Sequence, residues 1–146
     1  MKDPREPNSR TVKLDIASRL EMLDMVHTVL HHVAGLVGFD DEATHYISVA
    51  VRESVVNAIK HGNGMDEGKR VAVEFFLHAA ALEVEVRDEG VGFDPTELPD
   101  PLAPENLLKT AGRGVFFMRS FMDDVSYDFP RGGGTVVKMT KKMPPG

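Results

Sequence analysis

Apolar residues occupy every second position at Val71, Val73, Phe75 and Leu77, and again at Leu82, Val84 and Val86. In an extended chain a period of two sends alternate side chains to opposite faces. These segments therefore predict two strands, each with one buried face, joined by a short connection near Ala79–Ala81. Thr11–Ile16 alternates in the same way and predicts a first strand. Val125–Tyr127 and Thr135–Thr140 predict two more, the last entered through the turn Gly132-Gly133-Gly134. Between the first strand and the central pair the period lengthens. Leu23, Val26, Val29, Leu30, Val33 and Val37 share one arc of a helix running to about Gly38, and Ser18-Arg19-Leu20-Glu21 has the spacing of a capping box at its start. A second helix opens at Asp40 or Asp41 and continues to His61, where Gly62, Asn63 and Gly64 stop it. A third is expected from Gly114 to about Met122. Asp94–Ala111 holds four prolines and little periodicity, a long loop of the kind that usually carries function. With residues 1–10 as a disordered tail and 143–146 as a frayed end, residues 11–142 read as one domain. The fold class is α+β: a two-layer sandwich whose mixed, mostly antiparallel sheet carries helices on one face.

Composition narrows the chemistry. The chain has 146 residues, 42% of them hydrophobic and 27% charged, the balance of a globular domain with a single core. A formal net charge of -6 disfavours direct contact with nucleic acid or an anionic membrane surface. There is no cysteine, which excludes disulfides, thiol catalysis and thiolate metal sites. No apolar run approaches the ~20 residues of a membrane span, and the polar start lacks the apolar stretch of a signal peptide. A soluble, cytoplasmic protein is expected.

Three short stretches carry candidate chemistry. In the second helix Glu53 and Asn57 lie one turn apart on a shared stripe with Lys60 alongside, while Ile47, Val51, Ser54, Val55 and Ala58 form the face expected to pack on the sheet. An asparagine is unfavourable in mid-helix by about half a kcal/mol relative to alanine. Its amide oxygen suits Mg²⁺, a hard cation, and Glu53 could accept a proton from an attacking hydroxyl. The same residues also describe an incidental solvated helix edge. Asp88-Glu89-Gly90-Val91-Gly92 ends a strand in a turn whose glycines let a ligand approach the backbone. A carboxylate there could accept a bond from an exocyclic amine such as adenine N6; an ordinary Gly-rich turn has the same letters. Gly112-Arg113-Gly114 delivers glycine amides and a positive charge to a helix start, an anion site or simply a helix after a loop. It lacks the third glycine of a dinucleotide fingerprint and the Gly-Lys-Ser/Thr of a phosphate loop. His27 and His31 have the spacing of helical metal ligands, but a solvated face is favoured. Lys138, Lys141 and Lys142 suggest a solvated strand edge.

Taken together and in order, Glu53-x-x-x-Asn57-Ala58-Ile59-x-His61-Gly62, Asp88-Glu89-Gly90-x-Gly92 and Phe121-Met122-Asp123-Asp124-Val125 resemble the GHKL (Bergerat-fold) ATPase superfamily. Within it the chain is similar to the anti-sigma-factor serine/threonine kinases of bacterial partner-switching systems, over roughly residues 10–142. The resemblance implies ATP and Mg²⁺ as cofactors, with Asn57 holding the metal and Glu53 as catalytic base. It implies that Asp88 reads adenine with Gly90 and Gly92 beside it, and that Gly112, Arg113, Gly114 and Val115 close over the phosphates. Thr135 would lie near the base and Lys60 near phosphate. Arg113 stands where the family carries an apolar residue, and the lid Pro99–Lys109 departs from its better-known members. The implied partners are a sigma factor and a STAS-type anti-anti-sigma antagonist, the latter phosphorylated on serine. A non-catalytic ATP-binding regulator whose lid governs protein binding is the alternative. The apolar arc of the first helix leaves room for a homodimer face or a core contact.

Overall fold

Alternation and register explain the sheet. A computed structural model describes residues 10–90 and 121–144. Strand β1 (Arg10–Ala17) pairs with β2 (Arg70–Leu77), β2 with β3 (Ala81–Arg87), β3 with β5 (Val136–Lys142), and β5 with β4 (Asp124–Asp128), giving the order β1-β2-β3-β5-β4. Every pairing among the described residues is antiparallel, so the parallel part of the expected mixed sheet is not found among them. The register aligns Leu14 with Val73, Val73 with Val86, Val86 with Val137 and Val137 with Tyr127. One continuous row of apolar side chains therefore crosses the whole sheet on a single face.

Helix α1 (Leu23–Val37) and helix α2 (Asp41–Asn57) cover that face. Leu30 and Val33 of α1, and Ile47, Val51 and Val55 of α2, are fully enclosed with Val73, Phe75, Val84 and Met139. Such burial contributes about 1.5–3 kcal/mol for each large aliphatic side chain. Gly38, at a φ of 113°, ends α1 and returns its amide to Ala34 O at 3.1 Å. Asp40 caps α2 through a 2.8 Å bond accepted from the Ala43 amide, and Asp41 and Glu42 complement the positive end of the helix dipole.

The start of α1 corrects the expected capping box. Ser18 is wholly buried and its hydroxyl donates to Lys69 O at 2.6 Å, while a 3₁₀ turn at Leu20–Met22 leads into the helix without a side-chain cap. Glu21 pairs with Arg19 instead. The carbonyl of Lys69, just ahead of β2, takes the serine hydroxyl in place of a helix amide. The lysines need a second correction, because β5 lies inside the sheet rather than at its edge. Lys138 sits on the outer face beside Glu85, in the cross-strand row Lys13–Glu74–Glu85–Lys138, and Lys141 faces Asp123. Exposed pairs of this kind contribute about 1 kcal/mol at most.

Candidate functional site

Three elements end at one place: the C-terminus of α2, the end of β3 and the beginning of β5. The second helix does not continue as an α-helix to His61. After Asn57 it widens into a π turn, Ala58–Gly62, closed by the Asn63 amide on Ala58 O at 2.8 Å. Such turns recur at functional sites because they re-aim the residues that follow. Here the widening brings Gly62 against the side chain of Asp88, so tightly that a Cβ on Gly62 would overlap the carboxylate. A Cβ on Gly90 would likewise overlap the carbonyl of Gly62. Both glycines are required by close approach of two backbone segments.

Asp88 is buried just past the end of β3. Its Oδ1 accepts the Gly90 amide at 2.9 Å and the Thr135 amide at 3.1 Å, and its own amide donates to Thr135 O at 3.0 Å. Gly134, at a φ of 86°, donates to Gly90 O at 2.7 Å and completes the clasp. Burial pushes the Asp88 carboxyl above the ordinary carboxylate value, and the Gly90 and Thr135 amides and the charge of Lys69 pull it back. The result is a fixed acceptor in a partly desolvated place.

A second network holds this turn from outside. Asn63, almost entirely buried, donates from Nδ2 to Ser18 Oγ at 2.8 Å and to Arg70 O at 2.9 Å, and its Oδ1 accepts the Glu89 amide at 2.7 Å. Glu89 accepts the Arg70 amide at 2.6 Å. Sequence reasoning read Asn63 only as a helix stop and assigned nothing to Glu89. Their partners are up to 45 residues away in the chain, so no local spacing announces them.

The cleft formed here has Ala58, Val86 and Val137 as apolar walls, Ser54, Asn57, Asp88 and Thr135 as polar lining, and Tyr127 of β4 beside them. Asp88, Thr135 and Asn57 thus come together from three separate stretches. Glu53, one turn before Asn57, is half-buried, and Gly90 is buried beneath the turn. Lys60 lies in the π turn, exposed and outside the cleft's lining. Gly92, Gly112, Arg113, Gly114, Val115 and the lid Pro99–Lys109 lie outside the described residues, as does nearly all of the expected third helix. A wider depression lined by Phe39, Tyr46, Lys141 and Met143 sits at the other end of α2 and β5 and includes none of these residues.

The chemistry of this lining matches the polar edge of a purine base. Adenine offers a flat apolar ring, one exocyclic donor and several ring acceptors. The cleft supplies apolar walls, a fixed carboxylate acceptor, and two buried hydroxyls, Ser54 Oγ and Thr135 Oγ1, that have no hydrogen-bond partner among the described residues. The amide oxygen of Asn57 at the cleft suits a hard cation that also binds phosphates.

A two-layer fold with such a cleft falls in the class of ATP-binding α+β domains. Residues 16–141 match the histidine kinase-like ATPase domain, and the chain belongs to that family. It is 28% identical over 136 residues to a serine-protein kinase RsbW of Listeria monocytogenes, covering 89% of this chain and 85% of that protein. The RsbW serine-protein kinase of Bacillus subtilis is 27% identical over 142 residues, covering 93% of this chain and 88% of that protein. A crystal structure of the RsbU and RsbW domains of a Mycobacterium tuberculosis protein shares the fold, with a TM-score of 0.67 at 17% identity over 94% of this chain. This chain spans 34% of that longer protein chain. Among the described residues, no helix is long and apolar enough to cross a membrane.

Proposed function

We propose that this chain is an ATP-dependent serine protein kinase and anti-sigma factor of a partner-switching system. It phosphorylates a STAS-type antagonist and otherwise holds a sigma factor, in the cytoplasm and without direct contact to nucleic acid or membrane. The observation that carries the reading is the Asp88 carboxylate, buried and fixed by two backbone amides in the same cleft as Asn57 and Thr135.

In this reading Asp88 accepts the adenine amine, Gly90 lets the Asp88 turn close against Gly62, Gly92 leaves room for the ring, and Thr135 lies beside it. Asn57 holds Mg²⁺, which offsets the charge of the terminal phosphates. Glu53 accepts the proton from the substrate's serine Oγ as that oxygen bonds to the γ-phosphorus and ADP leaves. Lys60, Gly112, Arg113, Gly114 and Val115 act on the phosphates. The new phosphoserine places two negative charges at the antagonist's contact surface and weakens its grip, which frees the kinase for its sigma factor.

Phosphoryl transfer from ATP to a candidate antagonist tests the reading, alongside calorimetry of Mg·ATP binding. Glu53→Ala should retain ATP and lose transfer, and Asn57→Ala should lose the magnesium-dependent part of the affinity. A wild-type protein that binds ATP and antagonist but forms no phosphoserine would identify a non-catalytic regulator instead.

A further inference from the structure

Ser54 takes part in neither the fold's hydrogen bonding nor the proposed chemistry. It lies on the inward face of α2, only 2% exposed, with a hydroxyl that has no partner among the described residues. Helical serines and threonines ordinarily satisfy themselves on a carbonyl one turn back, and others in this chain do. Thr28 Oγ1 donates to Asp24 O at 3.0 Å, and Ser48 Oγ donates to His45 O at 2.7 Å. Ser54 is different, and it lines the same cleft as Asp88 and Thr135. A buried hydroxyl left unpaired destabilises the folded protein, and alanine at this position would fill almost the same volume without that cost.

The chemistry of the lining indicates what the hydroxyl is for. Asp88 can only accept, which suits the exocyclic amine of adenine and opposes the carbonyl oxygen of guanine. The ring nitrogens of adenine are acceptors and need donors. We propose that Ser54 is a specificity-determining residue for the base, its hydroxyl donating to a ring nitrogen of adenine through one bound water. This rests on the ATP-binding reading above. The energy lost by leaving Ser54 unpaired in the empty protein is recovered when the nucleotide enters, so the residue favours binding at the expense of the free state.

The test is Ser54→Ala, followed by thermal melting without nucleotide and by calorimetry with ATP and with purine riboside triphosphate, which lacks the exocyclic amine. The variant should melt a few degrees higher than wild type when empty, and bind ATP roughly three- to tenfold more weakly. The same weakening should persist with purine riboside triphosphate, whereas the penalty of Asp88→Asn should largely vanish with that analogue. Unchanged ATP affinity in Ser54→Ala, or a lower melting temperature in the empty variant, would overturn the assignment and leave the ATP site standing. A wild-type protein that binds no ATP would instead remove the reading on which it rests.

Discussion

Replacing Gly62 by alanine isolates the close approach on which Asp88, the proposed base reader, depends. Gly62 does not have a positive φ, so alanine meets no backbone obstacle there. Taken alone, the change should stabilise a helical turn by up to about 1 kcal/mol. The added methyl, however, occupies the position of the Asp88 carboxylate, which must swing away. That movement breaks the bonds from Gly90 at 2.9 Å and Thr135 at 3.1 Å. Hydrogen bonds to a charged group are worth roughly 1.5–3 kcal/mol each, so the two together outweigh the propensity gain by about 2–5 kcal/mol. Urea unfolding should show that loss, and calorimetry should show ATP affinity reduced by about a hundredfold or more, since an acceptor moved by one bond length no longer meets the amine. Gly35→Ala is the matched control, because a Cβ there has nothing within 4 Å and should only gain the helical preference. If Gly62→Ala behaves like Gly35→Ala in both assays, the contact between Gly62 and Asp88 is not the constraint described.

Other consequences can be checked in the same assays. Asn63→Ala removes three hydrogen bonds, to Ser18 Oγ, Arg70 O and the Glu89 amide, which should lower stability by about 3 kcal/mol in urea unfolding. Gly134→Ala places a side chain at a φ of 86° and against the Asp88 carbonyl, so its melting temperature should fall and ATP binding weaken. Because burial raises the Asp88 pKa, the folded protein holds that proton more tightly than the unfolded chain does. Its contribution to stability is therefore greatest at low pH, declines as pH climbs from the ordinary 3.8 through the folded value, and is flat above. Asp88→Asn should remove that slope from the difference between the two stability–pH curves, and an unchanged slope would assign it to other carboxyls.

Much of the fold was legible because it rests on local periodicity. A period of two at Val71–Leu77 and Leu82–Val86 marks the buried face of each strand, although Phe76 is buried on the opposite face as well. The arc of α1 matched its buried side, with Leu23, Val26, Leu30 and Val33 inward and His27 and His31 outside. Asn57 stood out as an asparagine in mid-helix and Asp88 as a carboxylate at a strand end, whereas Thr135 came only from the family resemblance; the structure brings the three to one cleft. What escaped was set through space. The spacing of Ser18 and Glu21 satisfied a capping box, yet a carbonyl 51 residues away claimed the hydroxyl. The lysines of β5 looked like an edge because sequence order does not reveal that β4 pairs outside β5. The π turn was hidden because alanine, isoleucine and lysine at 58–60 fit an α-helix equally well.

That hidden turn links the parts of the site. With the Asn63 amide on Ala58 O, the chain leaves α2 so that two successive residues reach the same target. Gly62 makes room for the Asp88 carboxylate and Asn63 holds the amide of the next residue, Glu89. The proposed base reader, Asp88, is therefore positioned by the helix that also carries Asn57 and Glu53, and the proposed metal and base contacts share one rigid support. Damage at the turn should separate the two roles. Asn63→Asp keeps the acceptor for Glu89 but loses both donated bonds, so the turn loosens while Glu53 stays on an intact α-helix. Steady-state phosphoryl transfer by this variant should show a raised KM for ATP with kcat nearly unchanged. A fall in kcat at unchanged KM would mean that the turn serves the reacting phosphate rather than the base, and would break the proposed division between them.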